Sequence, residues 1–260
     1  MKRILITGAA GNVARMVRPH LRSHYRLRLS DRRPLVDVVE GEEAVTADLG
    51  DLAGVRDAVR GTDGIIHLGG YPGESDFETI LQSNIVGAYN LFEAARLEGV
   101  KRIVFASTNH VVGFYPRSET IPPNVSPRPD TRYGLSKSFG ESLASLYVDK
   151  YGAEVMSIRI GHVLPRPDGA RALAIWISPR DLAQLMRIGL DSPEIRHEIV
   201  YGMSDNQRAW WDNSNAARLG YRPEDRSEEY AGDILGKAPR RAGDPRVELN
   251  QGGEFCVLEG

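Results

Sequence analysis

The sequence predicts an α/β fold, namely a Rossmann-type, doubly wound parallel sheet with helices on both faces and a small C-terminal substrate-binding region. Short apolar runs alternate with longer helical patterns from the N-terminus to about residue 161. A glycine-rich turn directly follows the first apolar run and precedes a helical pattern. At 260 residues, the chain has the length of one large α/β domain with a sizeable core.

The strands and helices follow from local patterns in chain order. Apolar runs rich in Ile, Leu and Val predict strands at 3–7, 25–31, 43–49, 64–70, 102–108 and 154–161. Stretches with helical spacing of apolar residues predict helices at 11–24, 51–61, 76–99 and from 132 onward. This alternation predicts right-handed crossovers between parallel strands, so that both faces of the sheet are covered.

Composition and charge argue against several classes of partner. The formal net charge is −2, which predicts no binding of nucleic acid or of an anionic membrane. No segment has the roughly 18 apolar residues of a membrane span. The histidines and the single cysteine, Cys256, show no metal-ligand spacing, so we expect no metal. One cysteine cannot form an intrachain disulfide, which favours a cytoplasmic location.

The turn after the first strand reads TGAAGNVA, which is the pattern of a dinucleotide-binding turn. Gly8 allows the tight turn, Gly11 allows a pyrophosphate to approach the helix N-terminus, and Ala14 stands in place of a third glycine. The candidate cofactor contacts in this turn are Gly8, Ala10, Gly11, Asn12 and Val13.

The end of the second strand indicates which dinucleotide binds. Asp31 lies about 20 residues beyond Gly11 and can accept hydrogen bonds from the adenosine ribose hydroxyls. Arg32 and Arg33 could accommodate a 2′-phosphate, but Asp31 would repel it. We therefore favour NAD over NADP and leave residual NADP use open. Further cofactor contacts are expected near the adenine at Asp48 and Leu49, and near the centre of the cofactor at Leu68, Gly69 and Gly70.

A tyrosine and a lysine in the stretch RYGLSK are candidate proton-transfer groups. Tyr133 and Lys137 are four residues apart at the start of a predicted helix, so their side chains share one face. Thr108 ends the predicted fifth strand, and Asn84 lies within the long helical stretch 76–99.

These motifs together resemble the short-chain dehydrogenase/reductase superfamily, extended type. The stretches that carry the resemblance are TGAAGNVA, HLGG, Asn84, VFASTNHVVG and Tyr133-x-x-x-Lys137, in this order and at these separations. The resemblance implies that Tyr133 is a general base whose pKa is lowered from about 10 by Lys137 and the cationic nicotinamide. It also implies that Thr108 orients the reacting oxygen, that Asn84 helps relay the proton, and that hydride passes to NAD. Asn84, Tyr133 and Lys137 are thereby expected to contact the cofactor as well.

Motifs in the second half resemble the uronate dehydrogenases, which oxidise the C1 hemiacetal of D-glucuronate or D-galacturonate to the aldarolactone with NAD. The stretches concerned are ASTNH, YGLSK, RIG, VYG, SDN, WWDN and QGG. The implied substrate contacts are Thr108, Asn109, His110, Tyr133, His162 and Arg171. Arg171 would hold the substrate carboxylate, because a guanidinium can donate parallel hydrogen bonds to it. His162 stands where serine is usual in that family.

We predict a single domain over residues 1–260. Residues 1–161 are expected to form the NAD-binding core, and residues 162–260 mainly a substrate-facing cap with the C-terminal elements. Within the second part, the patterns predict a helix at 178–190, a strand at 197–205 and short helices after 210.

Several alternatives stay open at this stage. VYGMSDN also resembles the haloarchaeal NAD-dependent glucose-6-phosphate dehydrogenases, so another sugar or a sugar phosphate remains a candidate substrate. A nucleotide-sugar epimerase or dehydratase is disfavoured because such enzymes usually need a larger C-terminal region. A dinucleotide-sensing regulatory protein is disfavoured because such proteins commonly lose the Tyr133–Lys137 pair. The resemblance also implies a homo-oligomer, without fixing the number of subunits.

Overall fold

A seven-stranded parallel sheet forms the centre of the computed structural model, which describes residues 1–236 and 243–259. The strands are β1 (Arg3–Thr7), β2 (Arg26–Asp31), β3 (Glu42–Thr46), β4 (Gly64–His67), β5 (Arg102–Thr108), β6 (Glu154–Ile160) and β9 (His197–Gly202). Their order in the sheet is β3-β2-β1-β4-β5-β6-β9. The order reverses direction between β1 and β4, and such a switch point opens a crevice at the carboxyl ends of the strands.

Helices cover both faces of this sheet. They are α1 (Asn12–Leu21), α2 (Leu52–Val59), α3 (Phe77–Ile80), α4 (Gly87–Leu97), α5 (Arg132–Tyr151), α6 (Ala172–Ile175), α7 (Pro179–Asp191), α8 (Ser214–Arg218), α9 (Ala231–Leu235) and α10 (Pro245–Leu249). Helices α1 and α7 pack together on one face, while α2, α4 and α5 pack on the other. The predicted fold class is therefore confirmed. Among the described residues, none of the helices is long and apolar enough to cross a membrane.

The predicted elements differ from the observed ones mainly at their ends. Strand β3 stops at Thr46 and β4 at His67, a few residues earlier than predicted. The predicted helix 76–99 is continuous through α3 and α4, but the intervening segment Leu81–Val86 is a π-helix. A π-helical turn changes which side chains face the sheet, and this one contains Asn84.

The sheet continues beyond residue 161, where the sequence prediction ended the NAD-binding core. Strand β9 pairs with β6 in parallel register, from Val155 opposite His197 to Ile160 opposite Gly202. Helix α7 packs against α1 and contributes to the same apolar core. These two elements complete the sheet layer, and the division of function at residue 161 stays a prediction. Between them, β7 (His162–Val163) and β8 (Trp176–Ile177) form a small separate ladder.

The C-terminal segment returns across the carboxyl ends of the strands and is anchored by Gln251. This side chain is fully buried and donates from Nε2 to the carbonyls of Pro116 and Glu119, each at 3.0 Å. Its Oε1 accepts from the indole of Trp211 at 2.9 Å. Trp211 also stacks on Tyr201 at 4.9 Å between ring centroids, so it is a core residue.

A buried ion pair joins α5 to the sheet. Arg159 in β6 donates from Nε and Nη2 to the carboxylate of Glu141 in α5, at 2.9 and 2.8 Å. Ser107 donates to the same carboxylate at 2.6 Å, and the Arg159 guanidinium lies 5.8 Å from the Tyr201 ring centroid. Nearly all of the arginine is shielded from solvent, so its charge depends on Glu141.

We expect Glu141→Ala to lower the free energy of unfolding by about 3–5 kcal/mol, because it leaves the Arg159 charge buried without its partner. Chemical denaturation followed by circular dichroism measures the change. The control is Glu194→Ala, which removes an exposed pair with Arg218 and should cost less than about 1 kcal/mol. Equal effects of the two substitutions would show that the buried pair does not stabilise the fold.

Candidate active site

The glycine-rich turn leaves bare backbone at the N-terminus of α1. Gly8 has a φ of +67°, and a Cβ there would lie 2.7 Å from the backbone nitrogen of Gly69. At Gly11, a Cβ would meet the Gly8 carbonyl at 3.0 Å and no other atom of the described residues within 4 Å. Gly11 is the N-cap residue of α1, and no side chain caps the first turn. These features fit a pyrophosphate, which needs close backbone approach and free N–H donors.

Asp31 sits beside that turn at the end of β2. Its Oδ2 accepts from the backbone nitrogen of Ala10, and its Oδ1 accepts from that of Arg33, both at 3.0 Å. The guanidinium of Arg33 lies 3.6 Å from the same carboxylate, and both Arg32 and Arg33 are exposed. The carboxylate is thus held at the crevice with lone pairs left to accept from ribose hydroxyls.

The expected adenine contacts are less specific than Asp31. The Oδ1 atom of Asp48 accepts a hydrogen bond from the backbone nitrogen of Gly50 at 2.8 Å, and this bond stabilises a local turn. Leu49 packs against the glycines that follow β4, and a Cβ at Gly69 would lie 2.6 Å from its Cδ1. Asn12 is exposed at the start of α1, and Val13 packs on the core beneath it.

The HLGG stretch forms the floor of the crevice. Gly69 donates its backbone N–H to the Thr7 hydroxyl at 3.2 Å, and Thr7 is 2.7 Å from Nδ1 of His67. Burial and the Lys137 charge lower the pKa of His67 to about 3, so the imidazole is neutral. Leu68 packs against the core, and Gly70 has a φ of +135°. His67 is therefore a packed strand residue that orients Thr7.

Thr108 and Ser107 are distinguished by their partners. Ser107 donates to the buried Glu141, so its hydroxyl is directed into the ion-pair network. Thr108 is 4 % exposed, and its Oγ1 accepts from the backbone nitrogen of His110 at 3.3 Å. A hydrogen bond between Thr108 and the Tyr133 side chain lowers the pKa of the phenol, whereas burial raises it. Thr108 is thus the hydroxyl that lies next to Tyr133.

Helix α5 is held at its first turn from two sides. The hydroxyl of Thr131 accepts from the backbone nitrogen of Gly134 at 3.0 Å, which caps the helix. Glu74 accepts from the backbone nitrogen of Tyr133 at 3.1 Å, and its other oxygen accepts from Arg132 at 3.0 Å. A carboxylate at a helix N-terminus is favoured by the helix dipole. The loop that carries Glu74 is therefore bound to the start of α5.

Burial dominates the electrostatics of Tyr133 and Lys137. It raises the pKa of the Tyr133 phenol to about 12, with the Thr108 hydrogen bond acting in the opposite direction. It lowers the pKa of Lys137 to about 8, so the lysine remains largely protonated at neutral pH. Nζ of Lys137 lies 5.9 Å from the Tyr133 ring centroid. The expected lowering of the phenol pKa depends on the charge of the nicotinamide as well as on Lys137, so it stays a prediction.

Asn84 links the active-site loops through its amide. Its Oδ1 accepts from the backbone nitrogen of Tyr71 at 2.6 Å, and its Nδ2 donates to the Tyr71 carbonyl at 3.1 Å and to Ser136 Oγ at 2.9 Å. Ser136 in turn donates to the Tyr133 carbonyl at 2.7 Å. A Cβ at Gly70 would lie 2.6 Å from Asn84 Oδ1 and 3.8 Å from Lys137 Nζ, so the amide and the ammonium are close neighbours.

Arg171 is a half-buried cation that lies between Asn109 and the C-terminal segment. Its Nε and Nη2 donate to the carbonyl of Gln251, at 3.0 and 2.7 Å. When the Asn109 amide is oriented so that it donates to the Ile160 carbonyl, its oxygen accepts from Arg171 Nη2 at 3.1 Å. Burial, and then repulsion by Arg117, lowers the pKa of Arg171 to about 10. No carboxylate of residues 1–236 or 243–259 forms a salt bridge with this guanidinium, although the charges of Asp130 and Glu254 act on it from a distance. Its Nη1 makes no hydrogen bond within these residues.

His110 lies between Tyr133 and the C-terminal segment. Its Nδ1 is 2.7 Å from Asp130 Oδ2, and its ring stacks on Phe255 with centroids 3.8 Å apart. The Tyr133 ring centroid is 6.2 Å from that of His110. His162 lies apart from this group in the β7–β8 ladder, partly exposed, with Nδ1 3.5 Å from Asp168 Oδ1.

Several residues of the site were not found from the sequence. The residues that contact predicted site residues without having been predicted themselves are Asp130, Glu74, Gln251 and Phe255, in loops or near the C-terminus, and Ser136 in α5. The QGG stretch was the one signal for this part of the chain, and a Cβ at Gly253 would lie 2.7 Å from Arg171 Cδ. Within the described residues, no group of His, Cys, Asp and Glu is arranged to hold a metal ion.

The fold and this site define a nucleotide-dependent enzyme of the Rossmann type. Residues 4–219 match the NAD dependent epimerase/dehydratase family, and the chain belongs to this family.

Within that family, the similarity over the full length is to uronate dehydrogenases. The chain is 48 % identical to the uronate dehydrogenase of Pseudomonas putida, over 98 % of this chain and 96 % of that protein. It superimposes with a TM-score of 0.95 on a mutant uronate dehydrogenase from Agrobacterium tumefaciens complexed with NAD, at 43 % identity, covering 100 % of this chain and 98 % of the other. It is also 36 % identical to the NAD-dependent glucose-6-phosphate dehydrogenase of Haloferax volcanii, over 87 % of this chain and 95 % of the relative.

We expect Asp31→Ala to weaken NAD binding about tenfold and to shift the preference toward NADP, because it removes the acceptor for ribose hydroxyls and the charge that repels a 2′-phosphate. Isothermal titration calorimetry with each dinucleotide measures both effects. Asp57→Ala, at an exposed position of α2, is the control. An unchanged ratio of NAD to NADP affinity in Asp31→Ala would refute the ribose role of Asp31.

Proposed function

We propose that this protein is an NAD-dependent dehydrogenase that oxidises the C1 hemiacetal of a hexuronate, D-glucuronate or D-galacturonate, to the aldarolactone. The observation that carries the proposal is the half-buried cation of Arg171, which is bound to the Gln251 carbonyl and the Asn109 amide oxygen instead of a carboxylate. A partly desolvated charge without an ion-pair partner is costly, and an anionic substrate group would compensate it. The full-length similarity to uronate dehydrogenases supports the same substrate class.

We propose that Tyr133 and Thr108 handle the proton of the C1 hydroxyl. Thr108 would hydrogen-bond the reacting oxygen and hold it against the phenol, and Tyr133 would take the proton. When bound, the oxidised nicotinamide of NAD supplies the hydride acceptor. Because burial alone keeps the phenol protonated, positive charge near Tyr133 has to favour the phenolate, and protonated Lys137 contributes to it. Asn84 would help to pass the proton from Lys137 toward water.

The proposed cofactor contacts divide the dinucleotide among successive strand ends. The turn from Gly8 to Val13 would hold the pyrophosphate, Asp31 and Arg32 the adenosine ribose, and Asp48 with Leu49 the adenine. Leu68, Gly69 and Gly70 would line its central part. These assignments rest on the bare backbone at the start of α1 and on the carboxylate held next to it.

The proposed substrate contacts lie in loops beyond the strands. Arg171 would bind the carboxylate through Nη1, while Asn109 holds the guanidinium from the other side. His110 and His162 would contact sugar hydroxyls. The substrate-facing part of residues 162–260 is then limited to the β7–β8 region and the C-terminal segment that carries Gln251.

We also propose a homo-oligomer in the cytoplasm. Large apolar side chains are exposed along the two long helices α4 and α5, including Tyr89, Leu97, Leu135, Leu146 and Tyr151. A second copy of the chain would cover them. The single cysteine, which cannot form an intrachain disulfide, favours a reducing compartment.

The proposed reaction is tested by mixing the purified protein with NAD and a panel of sugars at one pH, with reduced nicotinamide followed by absorbance. We expect reduction with glucuronate or galacturonate and little with glucose 6-phosphate or neutral hexoses. Tyr133→Phe should lower kcat by about 10²- to 10⁴-fold without much change in NAD affinity, because it removes the proton acceptor. Tight NAD binding without reduction by any sugar would favour a dinucleotide sensor, and turnover of glucose 6-phosphate alone would favour a sugar phosphate dehydrogenase.

We expect Arg171→Ala to raise KM for the uronate by about 10- to 100-fold, because a charge-assisted hydrogen bond to the carboxylate is lost. The effect on the corresponding neutral hexose should be much smaller. Arg166→Ala, at an exposed arginine of the same loop, is the matched control and should leave both KM values unchanged. Equal effects of Arg171→Ala on the uronate and the neutral hexose would exclude Arg171 from carboxylate binding.

A further inference from the structure

A buried histidine–carboxylate pair lies next to the proposed proton-transfer residues. His110 Nδ1 is 2.7 Å from Asp130 Oδ2, and the Asp130 side chain is completely shielded from solvent. The backbone nitrogen of Asp130 also donates to the His110 carbonyl at 3.3 Å. The two residues are therefore joined at both the side chain and the backbone, which fixes their relative orientation.

The surrounding chain is shaped around the Asp130 carboxylate. A Cβ at either Gly113 or Gly252 would collide with its Oδ2, so two separate backbone segments approach it closely. Its other oxygen accepts from the Thr131 hydroxyl at 3.0 Å. Such close packing allows the carboxylate one position, in which Oδ2 meets the imidazole.

The imidazole itself is held on both sides. Phe255 stacks on it with an interplanar angle of 19°, and Tyr133 is tilted toward it at 59°. Burial lowers the pKa of His110 and outweighs the opposite effect of Asp130, while the Arg171 charge acts in the same direction as burial. The ring is therefore neutral, and only one of its two nitrogens carries a proton.

The contact with Asp130 determines which nitrogen carries that proton. An ionised carboxylate only accepts hydrogen bonds, so Nδ1 has to be the protonated nitrogen. Nε2 then has a free lone pair. Nε2 makes no hydrogen bond within the described part of the chain, and it is accessible to solvent. This free lone pair can accept a hydrogen bond from a hydroxyl group.

We propose that Asp130 is a positioning residue that holds His110 as its Nδ1–H tautomer, so that Nε2 accepts a hydrogen bond from a hydroxyl group of the sugar substrate. The substrate part of this inference rests on the proposed function, whereas the tautomer part does not. Within the described chain, the Asp130 side chain hydrogen-bonds to His110 and Thr131 and to neither proton-transfer residue, while its charge also acts from a distance on Tyr133 and Arg171. Recognition of a polyhydroxylated sugar ring would then depend on Asp130, which does not contact the ring itself.

The test compares wild type with Asp130→Asn and Asp130→Ala. Protein labelled with ¹⁵N at histidine gives long-range ¹H–¹⁵N correlations that distinguish the two neutral tautomers, and His110→Phe assigns the signal. We expect wild-type His110 to have a protonated Nδ1 and an unprotonated Nε2, and both Asp130 variants to populate the form protonated at Nε2. An unchanged tautomer in both variants would overturn the proposal.

Steady-state kinetics test the second half of the proposal, with whichever sugar of the panel wild type oxidises. Asp130→Asn should raise KM about tenfold with a smaller change in kcat, because it removes neither proton-transfer residue and only the distant charge that acts on Tyr133 is lost. The NAD affinity and melting temperature of each variant confirm that it is folded, and Asp57→Asn on α2 is the control. A kcat loss without a KM change would refute the hydroxyl contact. If wild type oxidises no sugar, the proposed function fails, while the tautomer measurement still decides the role of Asp130.

Discussion

Close packing of α5 on β5 is the constraint on which the arrangement of the site depends. A Cβ at Gly140 would collide with the Phe105 ring, and one at Gly134 would collide with the His110 carbonyl. These two glycines let the helix approach the end of the strand closely enough for Tyr133 to meet Thr108. The same approach carries the Lys137 ammonium to 5.2 Å from the Phe105 ring centroid, beneath the crevice. Any other spacing between this helix and strand would separate the hydroxyl from the phenol.

Arg159 and Arg171 differ in how their positive charges are balanced. Arg159 is neutralised by Glu141 and stabilises the junction between α5 and the sheet. Among the described residues, Arg171 hydrogen-bonds only to carbonyl and amide oxygens, and the carboxylates of Asp130 and Glu254 act on its charge without forming an ion pair. Desolvation disfavours the charged form of both Lys137 and Tyr133. The absence of an ion-pair partner for Arg171 in this part of the chain favours an anionic occupant beside it.

Much of the fold and the cofactor end of the site could be predicted because they depend on local patterns. Strands β1 and β5 have the bounds expected from their apolar runs, and the turn at Gly8 needs a glycine for its positive φ. Asp31 could be placed because it follows a strand next to that turn. The π-helical segment around Asn84 could not be predicted, since a single helical pattern runs through it.

The sequence by itself determined the class of fold, the dinucleotide turn and the Tyr133–Lys137 spacing, because each depends on residues that are close together in the chain. Only the tertiary structure decided that the Ser107 hydroxyl is bound to Glu141. It also decided that burial raises the pKa of the Tyr133 phenol, and that Asp130, Gln251 and Phe255 lie against His110 and Arg171. The physical reason is that burial and long-range contact set these properties. Gln251 and Arg171 are 80 residues apart in the chain, and no local pattern connects them.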